Sequence, residues 1–150
     1  MISRLRLTKR EKAEGMRIFL DTNILFSAAL IPGSMPDRVY QSAVAGDNVA
    51  VICQQNIDEL IRTFSKKFPH KLDALYAFIA TISTCIEIVP IPNIESTPEG
   101  KIRDIDDRTI YRAAHAAGCD VIVTGDKDLL EAGINNPQII TAAEFVALFG

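Results

Sequence analysis

The sequence predicts an α/β fold: a mainly parallel sheet sandwiched between two layers of helices. Three observations carry that prediction. Short apolar, β-branched runs alternate with segments of helical periodicity along the chain. The run DVIVT at Asp120–Thr124 has no charge inside it, as a parallel strand buried on both faces requires. The 150 residues are the length of one domain, long enough to bury a sizeable core without a metal or disulfide to fold it.

In chain order, RIFLD at Arg17–Asp21 is a first strand that ends in an acid. Thr22 and Asn23 read as a turn, and the apolar segment after them starts a helix. Pro32, Gly33 and Pro36 make a loop. Asp37–Ala45 is a short helix closed by Gly46, and VAVIC at Val49–Cys53 is the second strand. Asn56–Phe68 is a helix with Ile57, Leu60, Ile61, Phe64 and Phe68 on one side, and Leu72, Leu75, Ile79 and Ile82 mark another. Cys85–Val89 is a third strand, stopped by Pro90 and Pro92. A polar loop, Asn93–Gly100, carries Glu95 and Glu99.

The next helix opens at Asp104, Asp106 and Asp107 and stops at Gly118. Ile110, Ala113, Ala114 and Ala117 recur at i, i+3, i+4 and i+7, with Arg108, Arg112 and His115 on the opposite face. DVIVT is the fourth strand, followed by Asp126, Asp128 and a short helix broken at Gly133. Gln138–Thr141 is the fifth strand. Ala142–Phe149 closes the chain as a helix, with Thr141 and Glu144 spaced as a capping box. No repeat, linker or second domain interrupts residues 16–150. Residues 1–15 read as a separate basic leader, either a frayed extension or an upstream start with Met16 as the natural beginning; a mobile arm that touches phosphates is the alternative.

Charge narrows the function. The net charge of −3 excludes binding nucleic acid by bulk positive charge. Residues 1–17 hold six basic residues against two acids, a local +4 that leaves −7 for the remainder. Cys53, Cys85 and Cys119 are odd in number and far apart, so they read as small buried hydrophobes in a reducing compartment. The sequence has neither the apolar core of a signal peptide nor a membrane span, so a soluble protein of the cytoplasm is expected.

The acids point further. In an open parallel sheet the functional crevice lies beyond the carboxyl ends of the strands. Asp21 and Asp126 follow strands, and Asp107 would share their rim if the chain before its helix also ends a strand there. Carboxylates gathered from several elements suit a hard divalent cation such as Mg2+. Each acid also has a structural use. Asp104 and Asp107 suit a helix N-terminus, Asp126 a turn, and Asp128 the cap of the helix after it. Glu59 or Asp58 could pair with Arg62, and spacing does not choose between them. Asp21 is the hardest to explain by packing. A haloacid-dehalogenase-type phosphatase would want a second Asp two residues on, where Asn23 stands, and a receiver domain an Asp at the third strand, where Val89-Pro90 stands.

FLDTNILFSA, NIDEL, RDIDDRTIYRAAHAAGCDVIVTGDKDLL and IITAAEF together resemble the PIN domain family, and within it the VapC-like toxin components of toxin–antitoxin pairs. The resemblance covers Met16–Phe149. It implies a five-stranded parallel sheet in a three-layer α/β/α sandwich and a Mg2+- or Mn2+-dependent endoribonuclease. By position it makes Asp21, Glu59, Asp107 and Asp126 the catalytic metal ligands, with Asp104 an extra acid beside them. Thr22, Asn23 and Thr124 match positions that orient the acids or contact phosphate, and Asp128 one that is often acidic. Lys127, Arg103, Arg108, Lys66 and Lys67 are candidate phosphate contacts. The resemblance further implies RNA as substrate, a homodimer, and a small antitoxin that inserts a basic side chain into the acidic site. The basic leader and Arg112 depart from the family pattern. A catalytically quiet RNA- or protein-binding module is the alternative.

Overall fold

Among the described residues the apolar runs form five short strands: β1 (Arg17–Leu20), β2 (Val49–Cys53), β3 (Ile86–Val89), β4 (Val121–Val123) and β5 (Gln138–Ile140). They pair in the order β3-β2-β1-β4-β5, every pairing parallel. The structure is a computed structural model that describes residues 15–150. The expected basic leader therefore lies, apart from Gly15, outside the described residues.

Among the described residues seven α-helices flank the strands: α1 (Thr22–Leu30), α2 (Met35–Ala43), α3 (Gln54–Lys67), α4 (Leu72–Ile82), α5 (Ile105–Ala116), α6 (Lys127–Leu130) and α7 (Ala142–Phe149). Strand alternation sorts them into two layers. Ile18, Leu20, Ala50, Ile52, Val121 and Val123 point into a core shared with α1, α2, α3, α4 and α7. Their neighbours Phe19, Val51, Cys53, Ile122 and Ile139 point the other way, onto Ile110, Tyr111, Ala113 and Ala114 of α5 and Leu129 of α6. Ile18, Phe19 and Leu20 are fully buried. At roughly 1.5–3 kcal/mol for each such side chain, β1 is the strand on which both cores depend.

Chain order places a crevice on this framework. β1 sits between β2 and β4, so the path of the chain reverses direction across the sheet at β1. Beyond the carboxyl ends of β1 and β4 the connections diverge and leave an opening, the usual ligand position in such sheets. No helix among the described residues is long and apolar enough to cross a membrane.

Local chemistry moves several expected boundaries. Thr22 and Asn23 are the first turn of α1 rather than a separate turn, because Asp21 caps that helix with its own carboxylate. Pro36 lies inside α2, in the first turn, where its missing N–H costs nothing; Ser34 is the cap. The polar loop before α5 contains a 3-10 turn at Thr97–Lys101, closed by a capping box between Ser96 and Glu99. Arg112 is not on a solvated face: it turns back to the buried Glu99. Cys53 and Cys119 are buried as expected, but Cys85 is exposed. Gly118 ends α5 with a φ of +69°, which an L side chain rarely adopts.

Candidate active site

Asp21 stands at the end of β1 with 5% of its surface exposed. Its Oδ1 accepts the Thr22 N–H at 2.8 Å. Its Oδ2 accepts the Thr124 hydroxyl at 2.7 Å and the Asn23 amide at 3.3 Å. Burial pushes the Asp21 carboxyl up to about 6, against the pull of those Thr124 and Thr22 hydrogen bonds and with help from the charges of Glu59 and Asp126. Asn23 ties the two strand ends together. Its amide nitrogen also reaches Thr124 Oγ1 at 3.3 Å, and its oxygen accepts the Gly125 N–H at 3.0 Å. Thr124 in turn accepts the Asp126 N–H at 2.9 Å, so the β4 turn that carries Asp126 is fixed to the floor under Asp21.

Glu59 comes in from α3. Thr22 Oγ1 donates to its Oε2 at 3.0 Å and Gln55 Nε2 to its Oε1 at 2.9 Å. Behind them Asn56, fully buried, donates to Thr22 Oγ1 at 3.0 Å and accepts the Cys53 N–H at 2.9 Å. Gln55 also bonds the Asp106 carbonyl at 3.0 Å and accepts the Thr109 hydroxyl at 2.6 Å, which fastens α3 to the first turn of α5. Asp58, which spacing left equal to Glu59, is exposed and accepts from Gln54.

Asp107 lies in that first turn of α5. Burial pushes its carboxyl up to about 8; the charge of the Asp126 carboxylate and its approach to hydrogen-bonding range, then the charges of Asp21 and Asp104, add to the shift. Its Oδ2 is buried with no hydrogen-bond partner among the described residues. Asp126 caps α6 by accepting the Asp128 N–H at 2.8 Å. Asp21, Glu59, Asp107 and Asp126 all line one cleft of about 300 Å³, with Phe26 and Lys67 on its walls.

The remaining expected site residues divide. Thr22, Asn23 and Thr124 hold the acids in place, as described. Asp104 and Asp128 are not part of the cleft lining, but their carboxylate oxygens and one from Asp107 all lie within 4.8 Å of each other. Asp104 caps α5 through the Asp106 N–H, and Asp128 is ion-paired with Arg103. Of the cationic candidates only Lys67 lines the cleft. Arg108 Nε donates to the Ile102 carbonyl at 2.8 Å, and Lys66 and Lys127 are exposed away from the cleft lining. Sequence reasoning passed over Gln55, Asn56 and Thr109. Gln55 precedes Glu59 by four residues on one helix, a spacing that signals a side-chain pair.

The donor set fits a hard divalent cation. Apart from the Lys67 amine, the polar side chains that line the cleft offer oxygen: the carboxylates of Asp21, Glu59, Asp107 and Asp126, the hydroxyls of Thr22 and Thr63, and the Asn23 amide; one buried carboxylate oxygen has no protein donor among the described residues to meet it. Residues 17–128 match the profile of the PIN domain. The chain belongs to the PIN domain family. Solved PIN-like structures share the fold at low identity. One, titled VapBC2 from Rickettsia felis bound to a DNA fragment from their promoter, superposes with a TM-score of 0.62 at 20% identity, over 84% of this chain and 98% of that one. VapC20 of Mycobacterium tuberculosis, described as a sarcin-ricin loop cleaving toxin, gives 0.56 at 16% identity, over 78% and 95%. DNA-bound VapBC from Salmonella typhimurium gives 0.55 at 20% identity, over 84% and 96%. No curated protein matches the sequence.

Proposed function

We propose that this PIN domain is a Mg2+- or Mn2+-dependent endoribonuclease of the VapC-like toxin type, acting on cytoplasmic RNA. The observation that carries the reading is the buried, partnerless Oδ2 of Asp107 in a cleft shared with Asp21, Glu59 and Asp126. Four carboxylates around 300 Å³ repel one another without a cation, and folding keeps them there. The description of the Mycobacterium tuberculosis relative as a sarcin-ricin loop cleaving toxin supports RNA as the substrate.

Asp21, Glu59, Asp107 and Asp126 would hold the cation. Bound there, it would polarise the phosphate and sharpen a water into a nucleophile. The chain's own groups do the rest. The Thr22, Asn23 and Thr124 hydrogen bonds fix the orientation of Asp21 and Glu59 before substrate arrives. One of the carboxylates takes a proton from the attacking water as its oxygen bonds to phosphorus. The bond from phosphorus to the 3′ oxygen breaks in line and that oxygen takes up a proton from solvent, leaving a 3′-hydroxyl and a 5′-phosphate. Lys67, at the cleft wall, offsets phosphate charge. A homodimer and a small antitoxin, whose basic side chain would enter the same acidic cleft, complete the proposal. The VapBC relatives are the reason for including a partner.

The test is end-labelled RNA incubated with wild type and Asp107→Asn, with Mg2+ or Mn2+ and with EDTA. Cleavage by wild type alone, abolished by EDTA, is expected. RNA binding without cleavage in every arm would instead mark a quiet binding module.

A further inference from the structure

Beside the acid cleft lies a second, larger groove of about 480 Å³, and the two share Asn23 and Asp126 as lining. We infer that this groove is a base pocket, seating the nucleobase of one nucleotide that flanks the phosphate held in the cleft. The inference rests on the ribonuclease reading above and adds to it a place where the enzyme senses the substrate's bases.

The lining decides what fits. Ile24 of α1, Met35 and Pro36 at the start of α2, and Ala142 and Ala143 at the start of α7 give the groove apolar walls. No Lys or Arg is among the residues that line it, and Asp126 stands at its edge. A phosphate would find no countercharge there and one repulsive carboxylate. The uncharged part of a nucleotide meets neither obstacle. Met35 is 41% exposed, and its thioether makes favourable contact with aromatic rings. Polar atoms sit where a base edge would reach them. The Ser27 hydroxyl has no hydrogen-bond partner among the described residues, and Thr141 Oγ1, which accepts the Glu144 N–H, still has its own proton to donate. The volume is that of an ordinary small-ligand pocket. Asn23 and Asp126 line both cavities, so a strand that leaves the cleft past them meets the groove next.

The experiment uses a short single-stranded RNA whose cut position has been mapped with wild type and Mn2+, and the same RNA with one abasic ribonucleotide placed in turn on either side of the cut. One abasic position is expected to lower kcat/KM by about tenfold to a hundredfold, the worth of a lost base contact. Ala143→Phe fills the groove from an exposed position on α7. It should lose the same factor on the intact RNA and nothing more on the abasic one. Met35→Ala, a milder change, should lose part of it. Equal rates on intact and abasic RNA, or losses that add in Ala143→Phe, would overturn the inference while leaving the nuclease reading intact. If wild type cuts neither RNA the nuclease reading fails, and fluorescence anisotropy with the same two RNAs then decides the pocket. A preference for the intact RNA that Ala143→Phe abolishes supports it; no preference overturns it. A change of oligomeric state in Ala143→Phe on gel filtration would show that a second copy of the chain covers the groove, and would also overturn it.

Discussion

Helix α5 takes part in two carboxylate arrangements, each with a buried oxygen, that are built in opposite ways. Near its middle, Arg112 holds Glu99, which is 3% exposed. Glu99 accepts from Arg112 Nη2 at 2.6 Å and Nε at 3.1 Å, and from the Ser96 N–H and hydroxyl at 2.8 and 3.0 Å. The Arg112 guanidinium above all, aided by Ser96, holds this carboxyl at about 2 despite burial. In the first turn of the same helix, Asp107 is pushed the other way, to about 8, with one oxygen unmet. A buried carboxylate oxygen is common to both; the supply of protein donors is not. A carboxylate whose charge the chain neutralises is a brace, whereas one left beside other acids is kept for something the chain does not provide.

The strongest way to break that contrast is Asp107→Asn. Asn caps and tolerates a helix start nearly as well as Asp, so the first turn of α5 should survive. Cleavage should fall by about a hundredfold or more, since metal assistance is worth several kcal/mol and each 1.36 kcal/mol is a factor of ten. At the same time the metal-free variant should melt higher than wild type at neutral pH, because Asn removes the cost of keeping on Asp107 a proton that the unfolded chain releases near pH 4. Activity and stability moving together downward in calorimetry and RNA assays would make Asp107 a structural residue like Glu99.

The two regions should also respond oppositely to pH. Asp21 and Asp107 have folded-state pKa values of about 6 and about 8, above their ordinary 3.8. The folded chain therefore keeps protons that the unfolded chain has released, and the stability this confers is lost as pH rises from about 4 toward 8. Glu99, held at about 2 against an ordinary 4.5, contributes stability above pH 4.5 that is lost as pH falls through 2. Thermal melts of metal-free protein should show a slope falling with pH on the alkaline side and rising with pH on the acid side. Adding Mg2+ or Mn2+ should flatten the alkaline slope by mass action and leave the acid one in place. An alkaline slope unchanged by metal would detach the cation from these carboxylates.

Glu99→Gln removes the brace rather than the cleft. It leaves the half-buried Arg112 guanidinium facing a neutral amide, so the melting temperature should drop by several degrees and the acid-side slope should shrink. Cleavage at saturating metal should change a few-fold at most, since Gln55 and Thr109 still fasten α5 to α3. Loss of activity as large as in Asp107→Asn, measured on protein shown by circular dichroism to be folded, would place the brace inside the chemistry.

The brace and the cleft differ in how well the sequence announces them. The unbroken apolar runs in RIFL and VIV give β1 and β4, and chain order then puts Asp21 and Asp126 at adjacent strand ends. Hydrophobic periodicity and strand polarity are local signals, and they were enough to gather those acids. The choice of Glu59 over Asp58 was not local. It depends on which side of α3 faces Thr22, a matter of helix rotation that one residue of spacing does not fix. Glu99 was less visible still. It lies directly after Pro98 in a polar segment, with no periodic partner, and Arg112 is thirteen residues away on a helix whose pattern suggested a solvated face. Asp21 as the cap of α1 was hidden for another reason: Asp-Thr-Asn reads equally well as a turn until the helix after it is known to begin at Thr22.

The smallest effect is expected from a second ion pair beside the cleft, and it tests whether pairing or burial makes a brace. Arg103 bonds Asp128 through Nε at 2.9 Å and through Nη2, a chemistry close to that of Arg112 and Glu99. Its side chain is 81% exposed, against 13% for Arg112. Water and salt screen a pair so placed, and holding two long side chains still costs entropy. Arg103→Ala should therefore leave the melting temperature unchanged within error at physiological salt, in the same assay in which Glu99→Gln loses several degrees. A comparable loss in both variants would mean that the charge pair alone is the stabilising unit, and that the buried position of Glu99 adds nothing to it.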